Sequence, residues 1–188
     1  MRRFAAFVFA ALLGGCALLP WRREQAPAPS PAPTARSTWI VGSSGAAIGQ
    51  ATFTETRAGV LIRLEFLADT LPPGWHAVHI HQIGDCSDFA AGFMAAGIHE
   101  GLVAEVQHGL LNHAGPDAGD LPNLFTPAAS TPSAAEFLAS RVSLRIMPGQ
   151  GRFSLLDSNG SALIVHLNAD NHSAIPSGPR IACAALTP

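Results

Sequence analysis

The eight histidines of this chain are concentrated between residues 76 and 172, although the chain has 188 residues. His79 and His81 form a His-x-His pair at the end of an apolar run. Residues i and i+2 of a β-strand share a face, so both imidazoles would point one way while His76, Val78 and Ile80 point the other. Such a pair can bind one metal ion, and a solvated strand face is the simpler alternative. We expect His76 to be hydrogen-bonded within the fold.

Further candidate ligands lie in residues 82–135, a stretch that lacks strand alternation and is rich in Gly, His, Asp and Pro. It contains His99, His108, Asp117 and Asp120. A segment of this length without regular structure is normally functional or disordered, and a bound metal would give it a reason to be ordered. Imidazole suits copper and zinc, and mixed imidazole–carboxylate sets suit zinc.

A last candidate ligand ends the strongly apolar run Ala162–Val165, which predicts a strand. This ligand is His166, whose ring would be costly to bury without a partner. Asp170 follows four residues later and could orient a ligand histidine by hydrogen bonding to it. The histidines therefore predict a metal site.

Most other chemistries lack the residues that they need. The run Gly42–Gly45 has the wrong spacing for a nucleophile elbow. All eleven basic residues are arginine, so a phosphate-binding loop would have no lysine. The net charge is −2, and six arginines against twelve acidic residues from residue 37 onward leave about −6. That balance excludes a nucleic-acid binder that works through a general basic field.

The chain after residue 37 is predicted to be all-β. Apolar residues alternate with polar ones over 60–66 and 142–146, and the segment Asp157–Gly160 predicts a hairpin turn between two further strands. Short strands separated by Gly, Pro and Asx turns are typical of a β-sandwich or barrel. No stretch keeps a helical apolar spacing for three turns.

The N-terminal residues 1–16 are predicted to be an export signal. Met1–Arg3 is positively charged, and Phe4–Leu13 is apolar but too short to span a bilayer. The sequence Leu-Gly-Gly-Cys at 13–16 resembles the lipobox of bacterial lipoproteins, in which the cysteine is acylated; cleavage as an ordinary signal peptide near Gly15 is the alternative. Lipid on Cys16 would anchor the protein in the periplasm, with the outer membrane favoured.

The next segment, 17–36, is rich in Pro and Ala and predicts an extended tether. The folded domain is then expected over 37–188.

The chain has three cysteines, Cys16, Cys86 and Cys183. If Cys16 carries lipid, the other two remain in an oxidising compartment and are expected to form one disulfide. The alternative is two buried free thiols. A disulfide would leave no thiolate for a blue-copper site or for Cys-ligated zinc.

An ordered set of motifs resembles the copper–zinc superoxide dismutases over residues 38–187. The motifs are GWHAVHIH at 74–81, GDC at 84–86, AGIH at 96–99, HG at 108–109, GDLPNL at 119–124, ALIVH at 162–166, AD at 169–170 and RIAC at 180–183. The resemblance implies a Greek-key β-sandwich or flattened eight-stranded barrel with long metal-binding loops. It also implies dismutation of superoxide to oxygen and hydrogen peroxide by a monomer or homodimer.

The resemblance also implies the metal ligands. Those for copper are His79, His81, His99 and His166, and those for zinc are His99, His108, Asp117 and Asp120, with His99 bridging the two ions.

Other matched positions receive supporting roles. Arg180 matches the arginine that holds superoxide beside copper, and Asp170 the carboxylate that links a copper-ligand to a zinc-ligand histidine. Cys86 and Cys183 match a disulfide between the metal loop and the last strand. We hypothesise that His99 leaves copper on reduction, takes a proton and delivers it to peroxide.

Three departures from the family are expected to matter. Glu100 and Gly101 replace the usual residues just after the bridging His99, which affects the packing of that loop. Asp117 stands where the family has a third zinc histidine, so a second carboxylate would join the site unless His113 replaces it. The segment before Arg180 lacks the usual lysine, so slower association with superoxide is expected. A non-catalytic copper-binding module with the same fold is the alternative function.

Overall fold

The computed structural model describes residues 34–103, 106–128, 130–149, 151–173 and 177–188. The predicted signal, the lipid site at Cys16 and most of the predicted linker lie outside these residues. The first strand begins at Ala35, so Ala35 and Arg36 belong to the folded sheet and not to the linker as predicted. Within the described residues, no helix has both the length and the apolar character that a membrane span requires.

Eleven strands and two 3₁₀ turns make up the regular structure of the described residues. The strands are β1 Ala35–Gly42, β2 Ala47–Glu55, β3 Val60–Phe66, β4 Gly74–His76, β5 Val78–His81, β6 Leu124–Thr126, β7 Ser133–Ala139, β8 Val142–Ser143, β9 Phe153–Ser154, β10 Ser161–His166 and β11 Arg180–Leu186. The 3₁₀ turns are Phe89–Ala91 and Met94–Ala96.

Seven of these strands form one antiparallel sheet in the order β5-β10-β11-β1-β2-β3-β7. The meander β1–β2–β3 with β11 returning beside β1 is a Greek-key arrangement. Side chains from both end strands of this order, such as Ile80 of β5 and Phe137 of β7, share one core cluster, so the sheet curls around it. The predicted all-β Greek-key fold is confirmed, and the finer strand count arises because the short strands pair separately as β4–β6 and β8–β9.

The alternation of apolar and polar residues predicts the strands of the main sheet well and the region around β8 poorly. Four alternating residues of β3, Val60, Ile62, Leu64 and Phe66, are buried while Arg63 and Glu65 are exposed, as predicted. The prediction for Ile146 is wrong, since β8 ends at Ser143 and Ile146 is 72% exposed. The predicted hairpin is also wrong: the Gly160 N–H does bond to the Asp157 carbonyl, but β9 pairs in parallel with β8 and not with β10.

Strands β5 and β10 are buried on both faces. Val78 and Ile80 of β5 belong to the main core. On the opposite face, Ile164 of β10 packs in a second apolar cluster. This cluster contains Phe93, which lies in the loop after β5. In the antiparallel register, Ile164 lies opposite His79. The period of two therefore puts aliphatic side chains against the core and histidines beneath the loop.

The predicted disulfide between Cys86 and Cys183 is present. It joins the loop after β5 to β11, and the fully buried Cys183 belongs to the second apolar cluster. The disulfide therefore links the loop that packs over the second cluster to the sheet.

Removing this crosslink should destabilise the domain. The bond spans 97 residues of sequence, and closing a loop of that size is worth about 4–5 kcal/mol on the chain-entropy model. The Cys86→Ala/Cys183→Ala variant should lose a free energy of unfolding of that order in urea denaturation. A reductant should destabilise the parent protein and leave the variant unchanged; equal stability of parent and variant would contradict the prediction.

Candidate metal centre

Strand β5 lies at the edge of the sheet, and its free edge binds the loops that carry further histidines and aspartates. The Ile80 N–H donates to the Gly119 carbonyl at 2.9 Å, and the Ile80 carbonyl accepts from the Glu100 N–H at 2.8 Å. A Cβ at Gly119 would lie 2.2 Å from the Ile80 oxygen, so this approach requires glycine. These bonds bring His99 and Asp120 beside the two histidines of β5.

Four histidines converge on the face of β5 and β10 that is turned away from the main core. Ring centroids are 4.3 Å apart for His79 and His99, 4.9 Å for His81 and His99, and 5.0 Å for His79 and His166. One ring nitrogen of each of the four lies within 4.8 Å of the others. The structure thus brings together the four residues that sequence analysis assigned to copper.

Hydrogen bonds orient three of these rings. His79 Nε2 donates to Asp170 Oδ2 at 2.9 Å, His81 Nδ1 donates to the Gly97 carbonyl at 2.9 Å, and His166 Nδ1 donates to the Gly178 carbonyl at 3.0 Å. Since a carbonyl oxygen and an ionised carboxylate can only accept, the proton of each neutral ring is fixed on the bonded nitrogen.

The opposite nitrogens of the same rings point into the cluster. His79 Nδ1, His81 Nε2 and His166 Nε2 are buried without a hydrogen-bond partner among the described residues. Burial lowers the pKa of His81 to about 2 and that of His166 to about 4, so these rings are neutral and keep a free lone pair. Buried, unpaired acceptors are costly, and a copper ion is the partner that this all-imidazole set fits.

A second candidate set contains His99, His108, Asp117 and Asp120, again with one ligand atom of each within 4.8 Å of the others. His99 Nδ1 lies 3.0 Å from Asp117 Oδ2, and His108 Nδ1 contacts Asp120 Oδ1. Two imidazoles and two carboxylates fit zinc. His113 is exposed and belongs to neither set, so the structure does not support it as a replacement for Asp117.

The histidine and carboxylate charges of the second set stabilise one another. Contacts with Asp117 and Asp120 raise the pKa of His108 to about 10. Burial alone would raise the pKa of Asp117, but hydrogen bonds from His108 and His99 outweigh burial and hold that pKa well below its usual value.

Asp170 connects the two sets, as the resemblance implies. Its Oδ2 atom lies 2.9 Å from His79 Nε2 and 2.9 Å from His108 Nε2. Asp170 is 4% exposed, and burial alone would raise its pKa, but the His79 hydrogen bond and further contacts keep that pKa low. One ionised carboxylate therefore fixes one ring of each set.

An open cavity of about 530 Å³ leads to the histidines, and its lining includes His79, His99, His166 and Arg180. The Arg180 guanidinium donates to the Phe93 carbonyl at 2.7 Å and to the Gly97 carbonyl at 2.8 Å. Arg180 is the only arginine or lysine among the described lining residues. A fixed positive charge beside three imidazoles suits a small anion.

The remaining sequence predictions can be compared with these positions. His76 is buried, and its ring contacts the carbonyls of His166 at 2.9 Å and Pro72 at 2.8 Å, which confirms a hydrogen-bonding role. Met94 also lines the cavity and is 63% exposed. Sequence analysis missed the orienting carbonyls of Gly97 and Gly178, because main-chain acceptors carry no residue-type signal.

Comparison with known proteins identifies the family. The family model for copper/zinc superoxide dismutase (SODC) matches residues 47–186. The chain belongs to the copper/zinc superoxide dismutase family. A relative from Caulobacter vibrioides, named Cu-Zn superoxide dismutase, is 41% identical over 150 residues, which cover 78% of this chain and 82% of the relative. Superoxide dismutation is the activity that these matches support.

Solved structures agree on the fold. The crystal structure of a SOD-like protein from Bacillus subtilis is 32% identical, covers 80% of this chain and 97% of its own, and aligns with a TM-score of 0.69. The Cu/Zn superoxide dismutase from Brucella abortus is 23% identical, covers 81% and 99%, and aligns with a TM-score of 0.59, a likeness of fold alone.

The buried neutral histidines make the stability of the metal-free protein pH-dependent. His81 and His166 have folded-state pKa values of about 2 and about 4, against about 6.5 when unfolded. As the pH falls from 6.5 to 4.5, the unfolded state takes up protons that the folded state does not. The free energy of unfolding should fall by roughly 2 kcal/mol per histidine.

Urea denaturation at both pH values measures this change. The His81→Asn variant should show a smaller pH dependence, and His113→Asn, at the exposed histidine, should behave like the parent. Stability that stays constant over this pH range would contradict the prediction.

Proposed function

We propose that this chain dismutates superoxide in the bacterial cell envelope, at copper held by His79, His81, His99 and His166. The observation that carries the ligand assignment is the set of buried ring nitrogens that face one another without partners. Copper, when bound, supplies the one-electron chemistry by alternating between Cu(II) and Cu(I). Overall, two superoxide anions and two protons become oxygen and hydrogen peroxide.

Arg180 binds and orients the anion in this proposal. Two carbonyl oxygens hold its guanidinium at the cavity wall, so the charge is fixed before substrate arrives. Guanidinium stays ionised at all working pH values and offers a forked set of donors. The domain carries about −6 overall, so attraction depends on this local charge, and slower association than in a lysine-bearing relative is expected.

In this proposal, His99 holds a proton and donates it to the reduced product. Its Nδ1 atom faces Asp117 at 3.0 Å, which leaves Nε2 for the side of the other three histidines. A proton held at His99 Nε2 lies beside the cavity and can be donated to the reduced product.

Zinc, held by His99, His108, Asp117 and Asp120, is the proposed second ion. It is redox-inert, so its contribution is structural and electrostatic. Asp117 is 1% exposed and adds a second carboxylate to this set, so its negative charge distinguishes the set from the family's three histidines and one aspartate.

A non-catalytic copper-binding module remains the second candidate. Asp117 favours it, because that position departs from the family, and one matched solved structure is described only as a SOD-like protein. The anchored guanidinium of Arg180 favours the enzyme, because storage of copper needs no anion-binding charge at the cavity. The module would bind copper and show no dismutation.

Replacing Arg180 tests the catalytic proposal. Arg180→Ala should bind as much copper as the parent and lose roughly 10-fold or more in dismutation rate, measured by inhibition of riboflavin–nitroblue tetrazolium reduction alongside elemental analysis. Arg57→Ala removes the same net charge from an exposed turn outside the cavity lining and should keep the parental rate. Equal rates in all three proteins would remove Arg180 from the mechanism.

The envelope location rests on the sequence of residues 1–36. We infer that Cys16 is acylated in the periplasm, that the outer membrane is favoured, and that residues 17–34 tether the domain, which acts as a monomer or homodimer. The Cys86–Cys183 disulfide supports an oxidising compartment.

Mass spectrometry of protein expressed from the full chain in a bacterium tests the anchor. The mature N-terminus should be a lipid-modified Cys16, and the protein should fractionate with membranes. Cys16→Ser should release the domain into the soluble periplasmic fraction with its activity unchanged. An unmodified N-terminus at Cys16 would contradict the lipid anchor.

A further inference from the structure

His172 follows the linking carboxylate by two residues and has an unusual backbone conformation. Its φ angle is 59°, in the left-handed region that residues other than glycine rarely adopt. Strain of this kind persists only where the surroundings hold it, and it is concentrated at functional sites. The contacts of His172 therefore merit a functional explanation.

The backbone of His172 connects Asp170 to the loop that carries His108. Its N–H donates to Asp170 Oδ1 at 2.8 Å. Its carbonyl accepts from the Leu111 N–H at 2.9 Å. The left-handed turn thus holds one carboxylate oxygen while Oδ2 remains available to His79 and His108.

The ring of His172 is part of the same network. Asn123 Nδ2 donates to His172 Nε2 at 3.3 Å and to the Asp170 carbonyl at 2.9 Å, while Asn123 Oδ1 accepts from the Asp170 N–H at 2.8 Å. Because Nε2 accepts, the proton of the neutral ring lies on Nδ1. That atom is buried with no hydrogen-bond partner among the described residues and lies 3.8 Å from Asp170 Oδ2.

Three imidazoles therefore surround one carboxylate oxygen, and only two of them belong to the proposed ligand sets. At 3.8 Å, His172 Nδ1 is too far away for a hydrogen bond. Its Nδ1 atom nevertheless lies in contact with the same carboxylate oxygen that His79 and His108 approach. Asn123 holds both the main chain of Asp170 and the His172 ring, so it fixes the position of that ring relative to the carboxylate.

We propose that His172, braced by Asn123, is a positioning residue that holds Asp170 in the one orientation that serves both His79 and His108. This inference rests on the proposed zinc set, because it predicts an effect on metal affinity. Partners of metal-ligand histidines typically change affinity 10–100-fold when replaced. His172 acts one contact further out, through Asp170, so the lower end of that range is expected.

The His172→Asn variant provides the test, since asparagine tolerates the left-handed conformation but cannot place a ring against Asp170. Zinc alone is titrated into copper-loaded protein in competition with a chromophoric chelator. The zinc dissociation constant should rise about 10-fold, and the Cu(II) electron paramagnetic resonance spectrum should shift because Asp170 no longer holds His79 in one orientation. His113→Asn, at the exposed histidine of the same loop region, should match the parent in both readouts.

Asn123→Ala is the second variant, and it decides the question if His172→Asn does not fold. It should weaken zinc binding to a similar extent. The loss of zinc affinity in the double variant should not exceed the sum of the losses in the two single variants, because both side chains act on Asp170. Asn171→Ala, at the exposed neighbouring residue, is the matched control.

The outcomes separate this inference from the proposed zinc site. If the parent itself binds no zinc, the zinc assignment fails first. If the parent binds zinc and both variants bind it equally tightly with unchanged copper spectra, the positioning role is wrong. A lower melting temperature of the metal-free variants with parental zinc affinity would likewise overturn it, since that result describes a structural residue only.

Discussion

The metal centre depends on one constraint, the two-residue period of an edge strand that is buried on both faces. In β5, Val78 and Ile80 pack into the core of the curled sheet, so His79 and His81 are forced to the opposite face. Because β5 is the edge of the sheet, its free main-chain groups bind the loops that bring His99 and Asp120. A one-residue shift of register would put the imidazoles into the core.

The second requirement is that each imidazole be neutral and correctly turned before any ion arrives. Acceptors on the outer side of the rings, which are carbonyl oxygens for His81 and His166 and a carboxylate for His79, fix the protonated nitrogen and direct the other one inward. Burial then keeps the rings uncharged. The fold tolerates these unpaired nitrogens because the surrounding sheet and disulfide-linked loop are well packed.

The linkage through Asp170 couples the positions of two differently composed sets. Its single Oδ2 atom contacts one histidine of each set, so a change in either ring position is transmitted to the other by a buried ionised group. The substitution of Asp117 for a family histidine is confined to the second set, and the four imidazoles of the first set converge regardless. Copper binding and anion guidance can thus be retained while the second set changes its charge.

Sequence patterns predicted the parts of this arrangement that depend on residue type and strand period. The shared face of His79 and His81, the hydrogen bonding of His76 within the fold, the disulfide and the all-β class follow from those patterns and are present. The orienting carbonyls of Gly97 and Gly178 could not be predicted, because any residue supplies a carbonyl and only the tertiary fold aims it. The prediction for Ile146 failed because the alternation of apolar and polar residues continues past the end of β8. The hairpin prediction at Asp157–Gly160 failed because β10 pairs with β5 and β11, and local turn residues do not encode such tertiary pairing.

Anomalous diffraction at the copper and zinc absorption edges, from crystals of the metal-loaded protein, tests the central claim most directly. A copper peak is expected among His79 Nδ1, His81 Nε2, His166 Nε2 and the cavity-facing nitrogen of His99. A zinc peak is expected on the other side of His99, among His108, Asp117 and Asp120, at ordinary zinc–ligand distances of about 2.0–2.2 Å. Copper bound elsewhere, or bound with any of His79, His81 and His166 remote from it, would contradict the account.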